Sequence, residues 1–189
     1  QGKLVTKAGS DGVLKGYYYD AKDKLIGVDD GKGLYKYVYT QDEAGNNTTA
    51  AYLVSKTLSD GRMVVFEEDG LMQWKDGSVL TETEQQELIA KCGEEMASTY
   101  YDAKGNLSYA AKLNGTTFYY RDGILECVLD PEGNVTDYDP VVSNATGEIV
   151  GYKVIRNGLV RVYDTKGTLL DVEMPVDGED VYGSGTNHY

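Results

Sequence analysis

Turn signals recur about every ten residues along this chain, so nothing between them is long enough to be more than a short strand, with one exception. Asp-Gly or Asn-Gly pairs stand at Asp11-Gly12, Asp30-Gly31, Asp60-Gly61, Asp69-Gly70, Asp76-Gly77, Asn114-Gly115, Asp122-Gly123, Asn157-Gly158 and Asp177-Gly178. These residues tolerate the positive φ of tight hairpin turns. A second signal, Asp-x-x-Gly, begins at Asp42, Asp102, Asp130 and Asp164, with Asn144 as a variant. There the Asp side chain accepts from backbone amides ahead of it, and Gly takes the left-handed position of a type I turn with a bulge. No such segment has the ligand spacing of a calcium-binding helix–loop–helix, so these turns read as structural.

The intervening runs are rich in Val, Ile, Tyr and Thr, as in Met63-Val64-Val65-Phe66 and Gly158-Leu159-Val160-Arg161-Val162-Tyr163. The pattern predicts an all-β chain, an antiparallel β-hairpin meander of roughly a dozen strands. It is read as a single domain over 1–189 with a flexible tail over about 183–189. The exception is Thr81–Ser98, TETEQQELIAKCGEEMAS. Thr83 with Gln86 fits a capping box, and Leu88, Ile89, Cys92 and Met96 share one helical face. One inserted α-helix over about 82–97 is expected, weakened in its second half by Gly93, with those four residues buried together.

Segments 18–37 and 100–119 align without a gap, Tyr19 falling on Tyr101 at an offset of 82. They share Tyr-Tyr-Asp-Ala-Lys, then Leu25/Leu107, Gly33/Gly115 and Tyr37/Tyr119. A shorter copy begins at Tyr163-Asp164. The two long copies should form equivalent hairpins with Gly33 and Gly115 at equivalent turn positions, and repeats of this kind bury a core only by stacking on neighbours. Tyr-Asp-x-x-Gly-x-Leu resembles the YD repeats of bacterial Rhs-type surface and toxin proteins. It is also similar to the variant MORN-type repeats of bacterial secreted proteins and lipoproteins. The resemblance spans about half the chain and departs from both families in its irregular spacing and inserted helix. It implies a hairpin scaffold on an extracellular, cell-surface or periplasmic bacterial protein, and no catalytic residue.

The formal net charge of −13 disfavours a phosphate backbone or an anionic membrane as partner. No apolar run reaches the roughly 18–20 residues of a membrane-spanning helix, so membrane insertion is not expected. A chain starting at Gln1 rather than Met reads as processed or truncated. Cys92 and Cys127 lack a CxxC spacing, and one disulfide or two thiols both fit. The single histidine, His188, lies in the Gly-rich tail and reads as solvated. Triad and histidine-metal chemistry therefore lack their parts, and no cofactor, metal or catalytic group is expected. Carboxylates are plentiful at Glu67, Glu68, Asp69, Glu94, Glu95, Asp137 and Asp139, but a glycosidase needs two at a fixed separation, which sequence does not give.

Tyrosine carries the remaining functional content: 17 Tyr against 2 Phe and 1 Trp. Tyr35, Tyr37 and Tyr39 alternate with Lys36 and Val38, so on a strand all three rings share a face. Exposed, such a ladder stacks on sugar rings or holds a peptide; buried, it covers the sheet by cross-strand pairing. Trp74, between Gln73 and Lys75, has the same two readings. The expectation is a non-catalytic binding module for a glycan or protein ligand, with Tyr35, Tyr37, Tyr39 and Trp74 as ligand-binding residues. A purely structural hairpin scaffold is the alternative, and a carboxylate-dependent hydrolase the second. Ligand identity and oligomeric state are not legible.

Overall fold

One five-residue turn closes most of the hairpins. Its first residue donates to the fifth residue's carbonyl and accepts from the fourth residue's amide, as at Asp20–Lys24, Asp42–Asn46, Asp102–Asn106, Asp130–Asn134 and Asp164–Thr168. In all five the leading carboxylate accepts from the third and fifth amides at 2.8–3.1 Å. The fourth residue is left-handed: Gly45, Gly105, Gly133 and Gly167, with Asp23 taking that position at φ 60. The same turn closes at Gly12, Gly61, Gly70 and Gly77, where Asp stands third instead of first and caps only the fifth amide. Those Asp-Gly pairs are thus the same bulged turn with the carboxylate moved. The two-residue form, with both φ positive, occurs at Asp122-Gly123 and Asn157-Gly158.

The computed structural model describes residues 2–173, and the chain divides into two units, Gln1–Gly115 and Thr116–Tyr189. The tail over 183–189, His188 and Asp177-Gly178 lie outside the described residues. The first unit runs β1 (Lys3–Ala8), β2 (Leu14–Tyr19), β3 (Leu25–Asp29), β4 (Gly33–Gln41), β5 (Asn47–Thr57), β6 (Met63–Phe66), β7 (Met72–Trp74), α1 (Glu82–Cys92), β8 (Met96–Tyr101) and β9 (Leu107–Lys112). From β1 to β7, and again from β8 to β9, each strand is antiparallel to the next, and β8 returns to pair Thr49–Tyr52 of β5. The end of β5, Ser55–Thr57, pairs β6 instead, so the β6–β7 hairpin and α1 branch out between β5 and β8.

The repeat is visible in hydrogen bonding. Asp20–Lys24 and Asp102–Asn106 make the same turn, each with a bulge between the two tyrosines before it. The following turns differ, and Gly33 is not equivalent to Gly115. The first copy turns over Asp30–Gly33 with Gly31 left-handed, whereas the second places Gly115 at φ 90 in the longer turn. Gly33 instead starts β4, where a Cβ would meet the Ser55 carbonyl at 2.9 Å.

The helix differs from the sequence expectation at both ends. Thr81, extended at ψ 162, is the N-cap, and the capping box is Thr81 with Glu84 rather than Thr83 with Gln86. The helix stops at Cys92 because the chain turns at Gly93, where a Cβ would meet the Ile89 carbonyl at 2.3 Å and Asn114 Cβ at 2.9 Å. Met96 consequently belongs to β8, opposite Lys112. Leu88 is buried with Val64 and Leu80, and Leu58, Phe66, Met72, Trp74 and Cys92 pack around them. Ile89 points outward, 36% exposed. Cys92 and Cys127 are both free thiols.

The remaining buried side chains of the first unit are Ala50, Ala51, Leu53, Lys56 and Ala110. Across the sheet, Ala51 lies between Tyr37 and Thr99, and Ala50 between Val38 and Tyr100. Small residues on the central strand let larger neighbours close over them on both faces, so tyrosine supplies apolar cover with a wet tip. The second unit continues as β10 (Thr117–Arg121), β11 (Ile124–Leu129), β12 (Val135–Val142), β13 (Ile149–Arg156), β14 (Leu159–Asp164) and β15 (Leu169–Glu173). It is an antiparallel meander in which Gly151 is the one buried residue among those described.

The turns give a pH dependence. The carboxyls of Asp20, Asp42, Asp60 and Asp164 are held below their usual range chiefly by the amide of the fifth turn residue. The Ser78 hydroxyl does this at Asp76 and the Asn134 side chain at Asp130. A depressed folded pKa means stability that is present above the unfolded value, about 3.9, and lost as pH falls through the folded ones. The melting temperature should therefore drop as pH is taken below about 4. Relief of the −13 charge acts with the opposite sign. Thermal melts across acid pH decide the matter: a midpoint that rises steadily into acid would mean repulsion, not the turns, dominates.

Candidate tyrosine face

Alternation along β4 puts Tyr35, Tyr37 and Tyr39 on one face of the first unit's sheet, all half-buried. Register extends the row: Tyr39 faces Thr49, which faces Tyr101 of β8. Tyr35 faces Val28, which faces Tyr17 of β2. Burial pushes the Tyr37 hydroxyl above its usual pKa, and the neighbouring Tyr101, Tyr39 and Tyr17 add to the shift. Tyr17, Tyr39 and Tyr101, from three strands, thus lie near enough to Tyr37 on this face to act on its hydroxyl. The sequence spacing supplies only the β4 members, because Tyr101 joins through pairing between strands some fifty residues apart.

The hydroxyls divide into two sets. Tyr39 donates to the Leu25 carbonyl at 2.7 Å, and the Lys24 ammonium sits 3.8 Å from its ring centroid. Tyr35 donates to the Met96 carbonyl at 3.4 Å, and burial first, then Asp30, pushes its pKa to about 12. Tyr17, Tyr37 and Tyr101 make no hydroxyl hydrogen bond among the described residues. Tyr35, Tyr37 and Tyr39 keep their protons at neutral pH, since their shifts are upward. The result is an uncharged ring surface whose central hydroxyls are open to another molecule, with Lys7 beside Tyr17 at 5.7 Å and Lys24 at the rim.

The opposite face is organised otherwise. Tyr52 and Tyr100 share a 2.6 Å hydroxyl hydrogen bond, and their rings stand edge to face with centroids 5.6 Å apart. Tyr109 extends the set at 5.4 Å from Tyr100. Here tyrosines satisfy one another, and burial raises the Tyr100 pKa to about 12, assisted by Tyr52. A shallow depression of about 400 Å³ beside them is lined by Tyr100, Ser108 and Tyr109.

Trp74 is not in the tyrosine row. It pairs with Val64 in the β6–β7 hairpin and packs on the Val64–Leu80–Leu88 cluster. The Arg62 guanidinium lies 4.5 Å from the Trp74 ring centroid, and the Glu84 carboxyl, lowered chiefly by the Thr81 amide, is lowered further by the indole. The carboxylates engage separate partners: Glu68 meets Lys36 at 3.6 Å, Glu94 meets Lys112, and Glu95 meets Lys56. Asp139 stands across from Lys153 in the second unit. No known protein-family model matches the chain.

Proposed function

We propose that this chain is a non-catalytic binding module of a bacterial secreted or surface protein, and that its ligand, a glycan or a protein segment, lies on the Tyr17–Tyr37–Tyr39–Tyr101 face. One observation carries the reading: half-buried Tyr37 shares its face with Tyr17, Tyr39 and Tyr101 and carries a neutral hydroxyl that no described residue satisfies. That hydroxyl is not buried from water, so a ligand that stacks on the rings can accept from it in water's place. Stacking needs no charge on the protein, which accords with an acidic chain. The Rhs-like and MORN-like character of the hairpins supports placement outside the cytoplasm.

The test is a screen of the intact chain on glycan and peptide arrays, repeated with Tyr37→Ala and with Lys36→Ala, which alters the other face. Tyr37→Ala should weaken each retained ligand by about 1–3 kcal/mol, the range of a modest hot spot, and Lys36→Ala should leave it unchanged. Equal loss from both variants, or none from Tyr37→Ala, rejects this face. Failure to retain any ligand favours the structural scaffold, whose rings serve the sheet alone.

A further inference from the structure

Edge strands are where a meander is open to another chain, and two of this protein's edges carry opposite charges. β1 is an edge strand of the first unit and β15 an edge strand of the second, and among the described residues neither has a partner on its outer side. All five residues of β15 are exposed, including Leu169 at 50%, Leu170 at 63% and Val172 at 44%. Apolar edges of this kind invite strand addition. On β1 only Val5 is partly covered, and Leu4 is 54% exposed.

Side-chain alternation sorts both strands into two faces. On β1, Lys3, Val5 and Lys7 share one face and Leu4 the other; on β15, Asp171 and Glu173 share one face and Val172 the other. Antiparallel pairing with Lys3 opposite Glu173 therefore puts Leu4 opposite Val172 and flanks Asp171 with both lysines across the pair. In this register Lys3 meets Glu173 directly, Asp171 stands opposite Val5 with Lys3 and Lys7 diagonal to it, and Leu4 meets Val172 on the other face. A slip of one residue would set each lysine on the apolar side. Like edges are disfavoured: β1 against β1 opposes lysines, and β15 against β15 opposes carboxylates.

We infer that β1 of one copy of this chain adds antiparallel to β15 of another, giving a head-to-tail, charge-specified association. The contact is heterologous, so a pair of copies retains one open edge of each kind, β15 on one copy and β1 on the other. Glu173 already meets Lys153 at 3.4 Å within its own sheet, at a position 45% exposed, and Lys7 lies beside Tyr17, so both charges are held at the surface and not withdrawn from it.

Sedimentation velocity over micromolar to millimolar concentrations at low salt tests this directly. Wild type should associate with rising concentration, and added salt should reverse it. Lys3→Glu with Lys7→Glu, and separately Asp171→Lys with Glu173→Lys, should each weaken association by roughly tenfold or more, since each makes all edges of one sign. Mixing the two variants should restore it, because every edge then finds its opposite. Circular dichroism of each variant confirms an intact sheet. Wild type monomeric at every concentration, either variant associating as well as wild type, or no rescue on mixing would overturn the inference.

Discussion

Leu88→Ala should lower the free energy of unfolding by about 2–5 kcal/mol, measured by chemical denaturation. Leu88 is 4% exposed and meets Val64 and Leu80, the other large buried side chains of the branch. Elsewhere in the first unit the buried residues are mainly alanines, and Leu88 is the buried side chain of the helix, with Cys92 packing beside it. Truncation removes transfer free energy and leaves a cavity that short strands and a capped helix cannot readily collapse. Ile89→Ala, one residue along, serves as the control: at 36% exposure it should change stability by no more than about 0.5 kcal/mol. Similar losses at both positions would mean that the outer side of α1 is covered as well.

Glu95→Ala should be the second large effect, and it should exceed that of Lys56→Met. Lys56 is 4% exposed, lies opposite Val64 across the β5–β6 pair, and holds its ammonium 2.5 Å from Glu95. Removing Glu95 leaves a buried cation without its counter-charge, a change that costs about 3–5 kcal/mol where both partners are buried. Glu95 itself is 40% exposed, so water reaches part of the vacated site, and about 2–3 kcal/mol is expected. Lys56→Met keeps the packed stem and removes the charge, so its cost should stay within about 1.5 kcal/mol or reverse sign. A neutral Glu95→Ala, or a Lys56→Met that costs more, would show that the contact contributes packing and not charge compensation.

Much of the fold was legible because turns are local. Asp42, Asp102, Asp130 and Asp164 act within their own five residues, and the sequence states both the carboxylate and the left-handed glycine. Asp23 escaped because an aspartate stands where the other turns have glycine, although it completes the same turn as Gly105 at the repeat offset. The helix was legible as an element but not in extent. Periodicity continues through Met96, yet Glu95 accepts from the Leu113 amide and the chain is already in sheet pairing there. Ile89 shows a related limit, since spacing gives a face but not the width of the surface that covers it.

The tyrosine row was legible only along one strand. Alternation aligned Tyr35, Tyr37 and Tyr39, but what those rings meet depends on β8 pairing with β5 across the inserted hairpin and helix. The hydroxyl partners, carbonyls of Leu25 and Met96, lie 14 and 61 residues away. Trp74 has a physical reason for its different place. It is directly opposite Val64, in the branch where the large apolar side chains collect.

Tyrosine-directed chemical footprinting, read residue by residue with and without a ligand retained on the arrays, tests the central claim most directly. Bound ligand should protect Tyr17, Tyr37, Tyr39 and Tyr101 together, while Tyr119, 43% exposed in the second unit, stays as reactive as before. Protection of Tyr52, Tyr100 and Tyr109 with the Tyr37 group unprotected would place the ligand on the opposite face and contradict the account.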